Sequence, residues 1–126
     1  MITMADEKIL MVTMSVTDMA KAKAFYAEQL GWSVTQDYGE GDRHWVTLEL
    51  PGGGATLTLS TMHGKLEPGA ITLYLATSTL EATYDQLKAK GVQLNDIKDD
   101  LYGPGSGVKW FNLHDPDSNR WLVVQS

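Results

Sequence analysis

G-V-K-W-F-N-L-H-D-P-D-S-N-R-W-L-V-V-Q, running from Gly107 to Gln125, is the stretch whose reading decides the fold. Phe111 and Leu113 alternate with Trp110 and Asn112, and Trp121 and Val123 alternate with Leu122 and Val124. A period of two is the mark of a strand with one face buried. Between the two runs, Pro116 fixes φ near −65° while Asp115, Asp117 and Asn119 bond back to local amides, so a tight turn is expected. Strand phase then separates the two tryptophans. Trp121 shares its face with Val123 and belongs to the core, whereas Trp110 shares the opposite face with Asn112.

Working back from this hairpin, the same grammar recurs. Ile9–Val16 alternates as a strand, and Thr17-Asp18 offers a helix cap. Ala20, Ala24, Phe25 and Leu30 follow at helical spacing, and Gly31 closes the helix. Strands are expected at Trp32–Gln36, His44–Leu50 and Ala55–Ser60, with turns at Tyr38–Arg43 and Pro51–Gly54. Thr61–Gly69 reads as a linker. The pattern then starts again, with a strand at Ala70–Ala76 and a helix capped within Thr77–Thr79. That helix carries Leu80, Tyr84 and Leu87 and ends at Gly91. A short strand at Val92–Ile97 and a glycine-rich loop at Tyr102–Gly107 lead into the closing hairpin. The two halves, 9–60 and 70–125, each read strand, helix, strand, strand, strand, and Gly31 and Gly91 mark the repeat. Residues 1–7 read as a frayed tail.

Composition narrows the function. With 126 residues the chain is one domain by size, built from two small halves. A net charge of −6 argues against nucleic-acid and anionic-membrane partners, which call for a basic face. There is no cysteine, which removes disulfides, thiolate metal sites and thiol nucleophiles. No apolar run approaches the length of a membrane span, and residues 1–7 lack the pattern of a signal peptide, so a cytoplasmic location is expected. The three histidines, His44, His63 and His114, fall in no metal-binding spacing and read as separate surface or turn residues. No nucleophile-elbow motif is present, and neither glycine-rich loop leads into a helix that would cradle a phosphate.

Two motifs carry a resemblance: V-x-D-M-x-x-x-x-x-F-Y-x-x-x-L-G-W over Val16–Trp32 (with Thr17 in the first variable place) and F-x-L-x-D-P-D-x-N-x-W over Phe111–Trp121. With the repeated βαβββ order, they resemble the vicinal oxygen chelate superfamily of glyoxalase, bleomycin-resistance and ring-cleaving dioxygenase proteins. The resemblance implies an α+β fold in which two βαβββ modules pair into a curved, partly open barrel-like mixed sheet with helices outside. Metal-dependent members of that family carry His or Glu at four cavity positions. By motif spacing these positions are Met11, Thr58, Ala70 and Leu122 here, and none of the four is a useful ligand for a divalent cation. The resemblance is therefore to the metal-free, bleomycin-resistance-type members, with no cofactor expected.

What strand alternation puts on the open sheet face is an amphipathic wall. The candidate ligand-binding residues are Met11, Trp45, Glu49, Thr58, Tyr74, Trp110 and Asn112, joined by Tyr102 from the glycine-rich loop. Small-molecule pockets have this mix of aromatic area and a few placed polar groups. Trp45 and Trp110 would stack a planar ligand. Glu49 calls for compensation by Arg43 or Arg120, by solvent, or by a ligand cation. The expected function is sequestration of a small aromatic compound, cationic where Glu49 meets it, in a cavity or a groove shared by a homodimer. The alternatives are a metal-dependent lyase or dioxygenase whose ligands lie elsewhere, and an interaction module using the fold as a scaffold.

Overall fold

The computed structural model describes residues 8–62, 67 and 69–126. The expectations for residues 1–7, for His63 and for most of the linker lie outside the described residues. The chain divides into two compact units, Met1–Lys65 and Leu66–Ser126. Each holds one mixed sheet.

In the first unit, β1 (Met11–Ser15) leads through Asp18 into α1 (Met19–Lys23). Asp18 caps that helix, its carboxylate accepting from the Lys21 amide at 3.1 Å. This satisfies one of the four amides that every helix start leaves without a partner. The helix then widens into a π-helical turn, Ala24–Gln29, before Gly31 reverses the chain at φ +77°. β2 (Ser33–Glu40), β3 (Arg43–Glu49) and β4 (Thr56–Ser60) complete the unit in the order β1-β4-β3-β2. β1 runs parallel to β4, and the other pairs are antiparallel.

The side chains Met14, Val46, Leu48, Leu57 and Leu59 are sealed from solvent together with Ala22, Phe25, Tyr26 and Trp32 of the helical segment and the turn that follows it. Tyr26 is edge-on to Phe25 at 5.1 Å between ring centres and tilted against Trp32 at 5.4 Å. Its hydroxyl, which burial removes from water, points at the Met14 sulfur at 3.6 Å. Fully burying one such aliphatic or aromatic side chain is worth about 1.5–3 kcal/mol, so this cluster is the main support of the unit.

In the second unit the order is β5-β7-β6, from β5 (Thr72–Thr77), β6 (Trp110–His114) and β7 (Arg120–Gln125), with α2 (Leu80–Ala89) packed against β7. β5 and β7 are parallel, while β6 and β7 form the antiparallel hairpin read from the sequence. Phe111, Leu113, Trp121 and Val123 are buried, as are Leu80 and Leu87 of α2. Tyr84 meets Phe111 edge-on at 5.2 Å. The turn is built around Asp115, whose carboxylate accepts from the amides of Asp117 and Asn119 at 2.9 and 2.8 Å and from the Asn119 side chain at 2.9 Å.

Two elements differ from the sequence reading. The strand expected at Trp32–Gln36 extends to Glu40, because Tyr38 pairs with Trp45 and Gly39 with His44 across a bulge near Thr35. Gly39, read as part of a turn, sits at φ +79° inside that strand. The strand expected at Val92–Ile97 is instead an irregular segment touching its neighbours through single bridges, Leu94 to Leu113 and Lys98 to Trp110. Here the Asn95 side chain takes the Asn112 amide, and side-chain capture of that kind interrupts a regular ladder. Smaller shifts move β5 to begin at Thr72 and α2 to begin at Leu80.

Candidate functional site

The face of the first sheet opposite its buried leucines is formed by register. Thr13 faces Thr58, and Thr58 faces Thr47, so three threonines run across three strands. Thr47 and Thr58 are buried and join their hydroxyls at 3.1 Å. Thr58 also lies 3.7 Å from the Met11 sulfur, a contact between residues 47 apart in sequence that only the parallel β1–β4 pairing produces. On the row beside them, Ser15 faces Ser60 and Ser60 faces Trp45, which in turn faces Tyr38. Trp45 is 42% exposed and stands edge-on to Tyr38 at 6.1 Å. Glu49 ends β3 as an exposed carboxylate, and among the described residues no ion pair engages it. Of the compensations weighed from sequence, neither Arg43 nor Arg120 forms an ion pair with it among these residues.

The open face of the second sheet has its own rows. Tyr74, Leu122 and Asn112 are cross-strand neighbours, as are Ala76, Val124 and Trp110. Tyr74 is 64% exposed, whereas Leu122 is buried. Trp110 is half-buried and tightly held. Its indole N–H donates to Asp100 at 3.1 Å, and the Lys98 ammonium sits 5.8 Å from the ring centre. A cation over an indole face contributes about 0.5–2 kcal/mol, so Lys98 and Asp100 fix the ring before any ligand arrives. Tyr102 is 79% exposed at the glycine-rich loop. It touches none of the rows through any contact seen among the described residues.

The four positions where metal-binding relatives would place ligands divide unevenly. Met11 and Thr58 meet, but as a thioether and a hydroxyl already bonded to Thr47. Leu122 is beside Tyr74, while Ala70 lies ahead of β5 with its amide donating to the Glu67 carbonyl at 3.3 Å. A divalent cation wants imidazole nitrogen or carboxylate oxygen, and this donor set does not fit one. Among the described residues no group of three or more His, Asp or Glu side chains converges.

A charged cluster that sequence reasoning missed lies on β2. Asp37 receives Lys23 on one carboxylate oxygen and His44 on the other, each at 2.6 Å. The hydrogen bonds from Lys23 and His44 hold its carboxyl below the ordinary aspartate value of 3.8. His44 lies diagonally across the β2–β3 ladder, since Asp37 faces Val46 and Gly39 faces His44. With Tyr38–Arg43 read as a turn, no such ladder was expected. The bulge near Thr35 and the exposure of every β2 residue leave this stretch without the alternation that marks a strand in sequence.

The family model for the Glyoxalase/Bleomycin resistance protein/Dioxygenase superfamily matches residues 8–123. Among solved structures, TnmS3, an antibiotic binding protein from Streptomyces sp. CB03234, is 24% identical with a TM-score of 0.83, covering 97% of this chain and 98% of its own. A glyoxalase/bleomycin resistance protein from the same organism is 25% identical with a TM-score of 0.77, covering 94% of this chain and 100% of its own. A superfamily member from Sphaerobacter thermophilus DSM 20745 is 22% identical with a TM-score of 0.77, covering 94% and 97%. No match was found among curated proteins. Two mixed sheets of four and three strands, each with a helical segment, are the fold those structures share. The match across nearly the whole chain and the two sequence motifs lead to one conclusion: this chain belongs to the Glyoxalase/Bleomycin resistance protein/Dioxygenase superfamily.

Proposed function

We propose that this protein is a metal-free binder that sequesters a small aromatic compound, in the manner its similarity to antibiotic binding proteins suggests. One observation carries the reading. The sheet faces turned away from the helices keep large aromatic side chains, Trp45 and Tyr74, in contact with water. Around them stand hydroxyls and one amide in place of metal-binding groups. Exposed aromatic area is costly to leave in water unless something covers it. A planar ligand stacked on Trp45 in the first unit, or on Tyr74 in the second, recovers that area, and in the second unit Trp110, already braced by Lys98 and Asp100, offers a rigid edge that loses little freedom on binding. In the first unit Thr58 supplies a placed polar group, with Met11 as the adaptable thioether beside it, and in the second unit Asn112 supplies one. Glu49, exposed at the end of β3, would attract a cationic ligand only weakly because water screens it.

The protein works, in this reading, as a single-domain cytoplasmic homodimer without nucleic-acid or membrane partners. The dimer is supported by β2, an edge strand exposed along all eight of its residues, with Tyr38 among its exposed side chains. No helix among the described residues is long and apolar enough to cross a bilayer.

The test is a titration of planar aromatic compounds against the protein, following tryptophan fluorescence, with Trp45→Ala and Tyr74→Ala beside the wild type. Saturable quenching is expected in the wild type, with affinity lowered about 5- to 10-fold in each variant, the loss of one stacking contact. Silence across a broad panel refutes the reading. Stoichiometric divalent metal in the purified protein, lost together with a catalytic activity on chelation, would replace it with the enzyme alternative.

A further inference from the structure

We infer that Arg120 receives the negative charge of the bound compound, so that the ligand class is an aromatic carboxylate. This rests on the small-molecule reading above and supplies the ligand charge that the exposed Glu49 does not decide.

Arg120 stands on β7, the middle strand of the second sheet. It is in register with Thr72 on one side and His114 on the other. The residue is partly exposed, yet its Nε is shut off from solvent and finds no hydrogen-bond acceptor. No ion pair among the described residues engages the guanidinium. Of the acids in the β6–β7 turn, Asp115 has its carboxylate taken up by the amides of Asp117 and Asn119 and by the Asn119 side chain, and no ion pair among the described residues joins Asp117 to Arg120. The sealed Nε itself is out of a ligand's reach, but a partly exposed guanidinium with no counter-charge of its own offers its remaining N–H groups to an acceptor from outside. Thr72 and His114 cannot serve as a counter-charge.

The chemistry of the neighbouring row says what else that partner carries. Two residues further along the same strands lie Tyr74, Leu122 and Asn112, about 6–7 Å away at the usual rise per residue. That is the distance from the carboxylate of a fused-ring acid to the far part of its ring system. A carboxylate on the guanidinium would therefore lay an aromatic body over Leu122 and against the exposed Tyr74. The planar guanidinium fork matches a carboxylate in shape as well as charge, which a lysine at this position would not do.

The experiment is calorimetric titration of the full chain with naphthoate and with naphthalenemethanol, the uncharged counterpart, near neutral pH. Wild type is expected to bind naphthoate on the order of 10-fold more tightly than the alcohol, the gain of one hydrogen-bonded charge pair. Arg120→Gln should erase that preference while leaving the affinity for the alcohol unchanged. Arg120→Lys, which keeps the charge and loses the fork, should retain only part of it. Equal affinities in the wild type, or a preference that survives Arg120→Gln, overturn the inference while the binding reading stands. If neither compound binds, the inference falls, and the broad panel described above decides the binding reading separately. Should Arg120→Gln prove unfolded by its thermal melt, the wild-type ratio and the Arg120→Lys ratio decide between the same outcomes.

Discussion

Replacing Asp115 with alanine should destabilise the second unit by about 3 kcal/mol, and the figure follows from the turn. The carboxylate accepts three hydrogen bonds, from the backbone amides of Asp117 and Asn119 and from the Asn119 side chain. Asp117 is partly exposed, so its amide can return to water at little cost. Asn119 is 1% exposed, and both of its donors would be left buried without an acceptor. An orphaned buried donor costs roughly 1–3 kcal/mol, which puts the pair near 3 kcal/mol after allowing for partial relaxation. The loss should spread. Asn119 also accepts from the Gly69 amide at 3.1 Å, and Asp115 and Asn119 pair through their backbones at 3.0 Å. Ser118, held between them at φ +66°, depends on the same network to stay in the left-handed region. Asp115→Asn keeps the two amide bonds but sets one side-chain amide against another, so about half the loss is expected. Urea unfolding followed by tryptophan fluorescence and circular dichroism measures both, with Trp110 and Trp121 on the strands that flank the turn. An Asp115→Ala protein within about 1 kcal/mol of wild type would refute the claim that this carboxylate holds the hairpin, since the orphaned donors alone should exceed that.

Two further perturbations test the first unit. Because Lys23 and His44 hold the Asp37 carboxyl below its ordinary value, its stabilising effect is full above about pH 4 and disappears as pH falls through the lowered value. Thermal melts should therefore separate wild type from Asp37→Asn at neutral pH by a small, salt-sensitive margin and merge in strong acid; a gap that widens in acid would contradict the assignment. Gly39→Ala should cost at least about 2 kcal/mol, since φ is +79° and a Cβ there would lie 1.9 Å from the Arg43 carbonyl oxygen, whereas Gly41→Ala, at φ +61° with open space, should cost only about 1 kcal/mol. Equal losses for the two, measured by thermal melts, would mean that the close approach to Arg43 plays no part.

Local periodicity was enough to determine much of this protein. Alternation in Phe111–Leu113 and Trp121–Val123 assigned the core face, and those side chains are buried as that phase requires. Asp18 and the two helix-ending glycines, Gly31 and Gly91 at φ +77° and +83°, act where their chemistry said they would. The repeat of the two halves and the two motifs led to the superfamily to which the chain belongs. All of these are properties of neighbours in sequence, which is why a reading along the chain finds them.

What the tertiary structure decided depends on residues far apart. Whether Trp110 is free or fixed turned on Asp100 and Lys98, brought to it by single bridges from the stretch that follows the irregular segment Val92–Ile97. The β2–β3 register made a strand of what looked like a turn and gathered Asp37, Lys23 and His44. Parallel pairing set the Met11 sulfur against Thr58, and the register of β5 and β6 on either side of β7 lined up Thr72, Arg120 and His114 with no counter-charge among them. A side chain's own type fixes which face of a strand it prefers. Its partners are fixed by register, and register is set by the packing of the whole sheet.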